Sequence, residues 1–212
     1  MSEIRFTFKL EKLVQALAFF SSKGVRELTK LKAAKLLYFA DKAHLLEYGR
    51  PILGDVYFCL PYGPVPSIAL NEMNDAIQQP EVEEADLPQD RAAFLRVLKV
   101  HKPLFGGHHV FQAKGFDADV FSESELQVLD NVVQRYGSCT AGQLVDLTHK
   151  EVTWAISDQH RDPGGRAPIP YELFFAGAPE GAQKMLDLVR SEQEDMRELD
   201  EVLGRRGPVA AV

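Results

Sequence analysis

The stretch TKLKAAKLLYFADKAHLLEYGRP, residues 29–51, decides how the rest of the chain is read. Thr29 is a good N-cap residue, Gly49 stands where a helix favours a left-handed C-cap, and Pro51 lies beyond it as a stop. These signals predict a helix to Tyr48. Apolar residues occupy nearly every face of it, which predicts the central buried helix of the core. Lys35, Asp41, Lys42 and His44 lie on the same helix, and charges in a core must be paired or pushed to its rim. Ion pairing at the edge of the core is the first reading of them, a polar patch facing a partner the second, and catalysis a remote third. Lys35, Asp41, His44 and the nearby Asp55 are assigned to a structural polar core.

Directly downstream, YGRPILGDVYFCLPYGPVPS (residues 48–67) holds four prolines and three glycines. GDVYFCL at 54–60 has strand composition, and PYGPVPS turns the chain into a third helix at about 67–77. Pro51, Pro61, Pro64 and Pro66 restrict φ and lower the entropy of the free loop. Such a segment is either a tight crossover or a fixed ledge that binds without an ordering cost. On the second reading Tyr57, Tyr62, Pro64, Val65 and Pro66 are candidate partner-binding residues. Trp154 joins them as an interface anchor, with core packing as its alternative.

Upstream, IRFTF at 4–8 is a short strand or an extended arm, and apolar spacing from Leu10 predicts a helix to about Ser21, broken by Gly24. QQPEVEEADLPQD (78–90) reads as an acidic surface link, followed by a short helix near 90–98 and two strands at about 108–113 and 118–121. FSESEL (121–126) and CTAGQL (139–144) each carry a capping box, Ser122 with Glu125 and Thr140 with Gln143, which predicts helices at 122–136 and 140–149. A short helix near 170–176, a long charged one near 179–203 and a frayed tail close the chain. The fold class expected is α+β: a mainly helical single domain with a small β-sheet or hairpin and a long C-terminal helix. Its divisions are residues 1–178 for the domain and 179–212 for the acidic helix and flexible tail.

The net charge of −7 argues against a protein devoted to coating nucleic-acid phosphates. Residues 1–50 nevertheless hold ten Lys or Arg against five Asp or Glu, so a nucleic-acid-binding regulator stays open as the alternative. The six histidines show no HxxxH spacing, there is no CxxC, and neither GxGxxG nor a Walker A loop occurs. No metal, no cofactor and no enzymatic activity are therefore expected. Cys59 and Cys139 supply no disulfide framework, apolar runs are too short for a bilayer span, and no export signal is visible. A cytoplasmic location is the expectation.

KLLYFADKAHLLEYGRPILGDVYFCLPYGPVPS, followed some fifty residues later by FSESELQVLDNVVQRYGSCTAGQLVDLTHKEVTWA, resembles the SocA-like antitoxin family, also called the Panacea domain, over roughly residues 8–176. The resemblance implies a non-catalytic protein of bacteria and phages, encoded beside a toxin and neutralising it by direct binding. Some members deliver the bound toxin to an ATP-dependent protease. The oligomeric state does not follow from it. The long acidic helix after about residue 179 departs from the shared core, and the small apolar C-terminus, Pro208 to Val212, resembles a tag for proteolysis.

Overall fold

The computed structural model describes residues 3–78, 89–104, 107–163, 165–179 and 181–203. Most of the expected acidic link and the whole of the expected C-terminal tail lie outside them. Helix α2 (Lys30–Tyr48) sits at the centre, with twelve buried residues spread around its circumference. Thr29 accepts from the Lys32 amide at its start, and at its end Gly49 takes φ +74° and donates to the Leu45 carbonyl. Both caps are those the sequence predicts.

Around α2 pack α3 (Ser67–Gln78), α5 (Glu123–Tyr136), α6 (Ala141–His149) and α8 (Ala182–Val202), with α1 (Leu10–Ser22), α4 (Gln89–Val97) and α7 (Val152–Asp158) against neighbouring elements. Both capping boxes form, each with the reciprocal pair of hydrogen bonds. The molecule is an α+β, mainly helical single domain with small antiparallel sheets and a long C-terminal helix, as its sequence predicts.

The main sheet runs β2 (Gly63–Pro66), β1 (Tyr57–Leu60), β5 (Ala167–Ile169), all antiparallel. The sequence reading takes β2 as part of a turn and gives no strand at β5. Both are short and proline-bearing, and each is a strand only because β1 lies beside it. Pro64 and Pro66 suit an edge strand because they have no N–H to leave unpaired on its outer side. The second ribbon also differs from expectation. β4 (Val110–Ala113) pairs with β3 (Leu98–His101), upstream of it, while residues 118–120 form one turn of 3-10 helix. A helical pattern running up to Leu98 hides β3 in the sequence.

Residues 4–8 are an extended arm without strand pairing. Ile4 N donates to Glu172, Lys9 N donates to the Leu53 carbonyl, and the Phe6 ring meets Tyr171 edge-on at 4.9 Å. The arm passes so close to Gly54 (φ +72°) that a Cβ there would lie 2.5 Å from the Thr7 carbonyl oxygen. Gly54→Ala should therefore cost roughly 2–4 kcal/mol, from strained φ and a backbone clash together, measured by urea unfolding. Wild-type stability in that variant would show the arm to be displaceable without loss.

Candidate interaction surface over a buried polar core

The four polar side chains assigned to the core, Lys35, Asp41, His44 and Asp55, all lie inside the molecule, and each is held by neutral partners. Lys35 is fully buried and donates from Nζ to the Pro64 carbonyl at 2.8 Å, on the outer edge of β2. Burial pushes its pKa down from 10.5 to about 7. Gly63 approaches so closely that a Cβ there would sit 2.6 Å from both Lys35 Nζ and Thr148 Oγ1. Asp41 accepts from the Leu53 amide at 2.7 Å and from the Tyr57 hydroxyl at 3.0 Å, and burial raises its pKa to about 7 despite these donors.

Asp55 accepts from the amides of Val56, Ile68 and Ala69, the last two in the first turn of α3. It caps that helix from outside it, and burial raises its pKa to about 6 while the amides oppose the rise. His44 Nδ1 lies 2.6 Å from the Arg50 carbonyl, so it carries the proton, and Nε2 accepts from Ser124 Oγ at 3.1 Å. Burial lowers its pKa, which favours this neutral tautomer. The ion pair expected at the core's edge forms at Lys42, 2.9 Å from Glu151, and not at Lys35, Asp41 or His44. Backbone carbonyls and amides are the cheaper partners there, because they are already fixed in place.

The ledge needs a larger correction. Tyr57, Pro64, Val65 and Pro66 are buried, with Tyr57 at 2% and Val65 at 5% exposure. The prolines face the interior because β2 is a sheet edge closed by α2, α3 and α6. Only the turn of the hairpin reaches solvent, and there Tyr62 is 68% exposed. Trp154 on α7 is half-buried beside it, with Nε1 3.5 Å from the Leu60 carbonyl.

His149, which the sequence reading missed, completes this patch. Its ring stacks on Trp154 at 4.0 Å and lies close to Gly63, bracketing the hairpin turn from α6. Burial, with Lys35 nearby, lowers its pKa, and its Nε2 is buried without a hydrogen-bond partner. A turn of two residues, Lys150 and Glu151, brings His149 and Trp154 together. On the far side of β1, the Arg166 guanidinium lies 3.7 Å from the centre of the Phe58 ring. An exposed tyrosine on the hairpin turn, beside a histidine–tryptophan stack from α6 and α7, offers broad contact area with little side-chain entropy to lose.

The basic excess of residues 1–50 is largely engaged within the chain. Lys12 pairs with Glu125 at 2.6 Å, Lys23 with Asp130 at 2.7 Å, Arg5 with Glu3 at 2.9 Å and Lys42 with Glu151. Lys32 and Lys35 are buried, donating to backbone carbonyls. Among the described residues no three His, Cys, Asp or Glu side chains are grouped to hold a metal ion. None of the described helices is long and apolar enough to cross a membrane.

The part of the chain that builds α2, the β1–β2 hairpin and the His149–Trp154 stack is also the part that matches a known family. No curated protein and no solved structure matches the chain. A family model described as "Antitoxin SocA-like, Panacea domain" matches residues 34–155, more than half of the sequence. The chain belongs to the SocA-like antitoxin family, the Panacea domain.

Proposed function

We propose that this protein is the antitoxin of a toxin–antitoxin pair, that it works in the cytoplasm, and that it neutralises a cognate toxin by direct binding, without chemistry of its own. The family match over residues 34–155 carries the reading. The patch of Tyr62, His149 and Trp154 is the surface best suited to the toxin, since it presents aromatic anchors on a backbone already rigid.

Co-expression with the product of the neighbouring gene tests the function. The reading requires that product to be harmful alone and harmless in this protein's presence; a product harmless alone, or equally harmful in both settings, sinks it. A fuller form adds delivery of the bound toxin to an ATP-dependent protease. Toxin levels that fall only in protease-proficient cells containing this protein separate delivery from simple occlusion.

Tyr62→Ala should weaken toxin binding roughly tenfold to a hundredfold while leaving the melting temperature unchanged, because the side chain is mostly in solvent. Calorimetric titration checks it, and wild-type affinity would move the interface elsewhere. Val65→Asp should act through folding instead, since it places a carboxylate in the interior.

A further inference from the structure

The two halves of α8 differ in what they touch. Its first half is anchored: Leu186 and Val189 are buried, and Met185 and Val189 lie against Gly49 at the end of α2. In the second half the side facing the body is polar, with Gln193 accepting from the Arg5 amide and Arg197 donating to the Glu3 carbonyl at 2.8 Å. The exposed apolar residues lie to one side of these contacts. Leu188, Met196, Leu199, Val202 and Leu203 are 51, 56, 48, 83 and 51% exposed, and at helical periodicity they fall on one stripe.

An exposed apolar stripe flanking the docked side of a helix is not explained by the fold of this chain. Asp187, Glu194, Glu198 and Glu201 recur at helical spacing along one border of the stripe, and Glu192 and Asp195 interrupt it. Over α8 there are seven acidic and three basic residues, a net charge of −4. All of this lies outside the family-matched residues 34–155.

We infer that the outer face of α8 is a second docking surface, and that its occupant is a basic amphipathic helix of a partner protein. Apolar side chains on one face of such a helix cover Met196, Leu199 and Val202, while its lysines or arginines meet the Asp187–Glu201 row. A second copy of this chain is the wrong occupant, because it brings the same acidic rows face to face. The surface is separate from the hairpin patch, so the inference stands or falls independently of the neutralisation assay.

The test uses the full chain and a fluorescent amphipathic helical peptide built from leucine and lysine, with a leucine and glutamate peptide of equal length as its counterpart. Fluorescence anisotropy should show the lysine peptide binding the wild type and the glutamate peptide not binding. Binding should weaken as salt rises from about 50 to about 300 mM, as an interaction between exposed charges must. A Met196→Ser, Leu199→Ser, Val202→Ser variant and a Glu194→Gln, Glu198→Gln, Glu201→Gln variant should each weaken it at least about tenfold with unchanged melting temperature, since these side chains are exposed. Tyr62→Ala should leave it unaltered. Failure of the wild type to bind, equal binding of both peptides, or undiminished binding by the serine variant overturns the inference. So does a wild-type dimer in light scattering that the serine variant abolishes, which would assign the stripe to a second copy.

Discussion

Asp41→Ala should destabilise the protein by about 4 kcal/mol at neutral pH, because it strips the partner from two buried donors, the Leu53 amide and the Tyr57 hydroxyl, and leaves a void in the centre of the core. Urea unfolding measures it, and a loss below about 1 kcal/mol would mean that the two donors find other partners. Asp41→Asn keeps an oxygen acceptor and isolates the charge. In the folded wild type burial raises the pKa of Asp41 from 3.8 to about 7. Between those values the folded state holds a proton that the unfolded chain has released, so this group's contribution to stability falls as pH rises through the window. Wild-type stability relative to Asp41→Asn should therefore decline from about pH 4 to about pH 7 and then level off. Asp55 shifts the same way but is common to both proteins and cancels. Parallel curves would show that Asp41 titrates normally.

Lys35→Glu should be the most damaging exchange, about 5 kcal/mol or more, since it sets a buried carboxylate against the Pro64 carbonyl that now receives a hydrogen bond. Little soluble protein is the expected outcome; a Lys35→Glu variant with wild-type melting would overturn the assignment of Lys35 to the structural core. Lys35→Met gives the quantitative counterpart. Burial lowers the folded pKa of Lys35 from 10.5 to about 7, so between those values the unfolded chain binds the extra proton and stability rises with pH. The methionine variant has no such rise. Its stability relative to wild type should fall steadily from about pH 7 to about pH 10, opposite in sign to the Asp41 effect and in the adjoining window. Together the two groups place their combined destabilisation at its greatest near neutrality.

What could be read from the sequence depended on how far apart the deciding residues lie. The caps of α2 and the two capping boxes are local, written within four residues of one another, and the structure forms all of them. The strands GPVP and API carry no such signal. Each becomes a strand through a partner elsewhere, and prolines disguise both. The same limit governs the site. Lys35, Asp41 and His44 stood out because charge on an apolar helix is visible in one dimension, whereas His149 acquires meaning only when a two-residue turn lays its ring on Trp154. The ledge reading places Pro64 and Pro66 in solvent and the structure buries both, since a stretch of restricted φ serves a closed sheet edge as well as an open ledge.

The order of the main sheet also governs how the chain can be made. β1 and β2 are joined by a tight turn and can pair as soon as both have left the ribosome, but β5 joins β1 by pairing Tyr57 with Ile169, across most of the sequence. Until residue 169 emerges, one flank of β1 has its backbone groups unsatisfied, and closing so long a loop is slow. During that interval the nascent chain exposes a strand that any extended peptide can pair with. The main sheet is thus complete only after residue 169 has been made, and premature termination before β5 leaves a fragment with an open strand edge in place of a merely weakened fold.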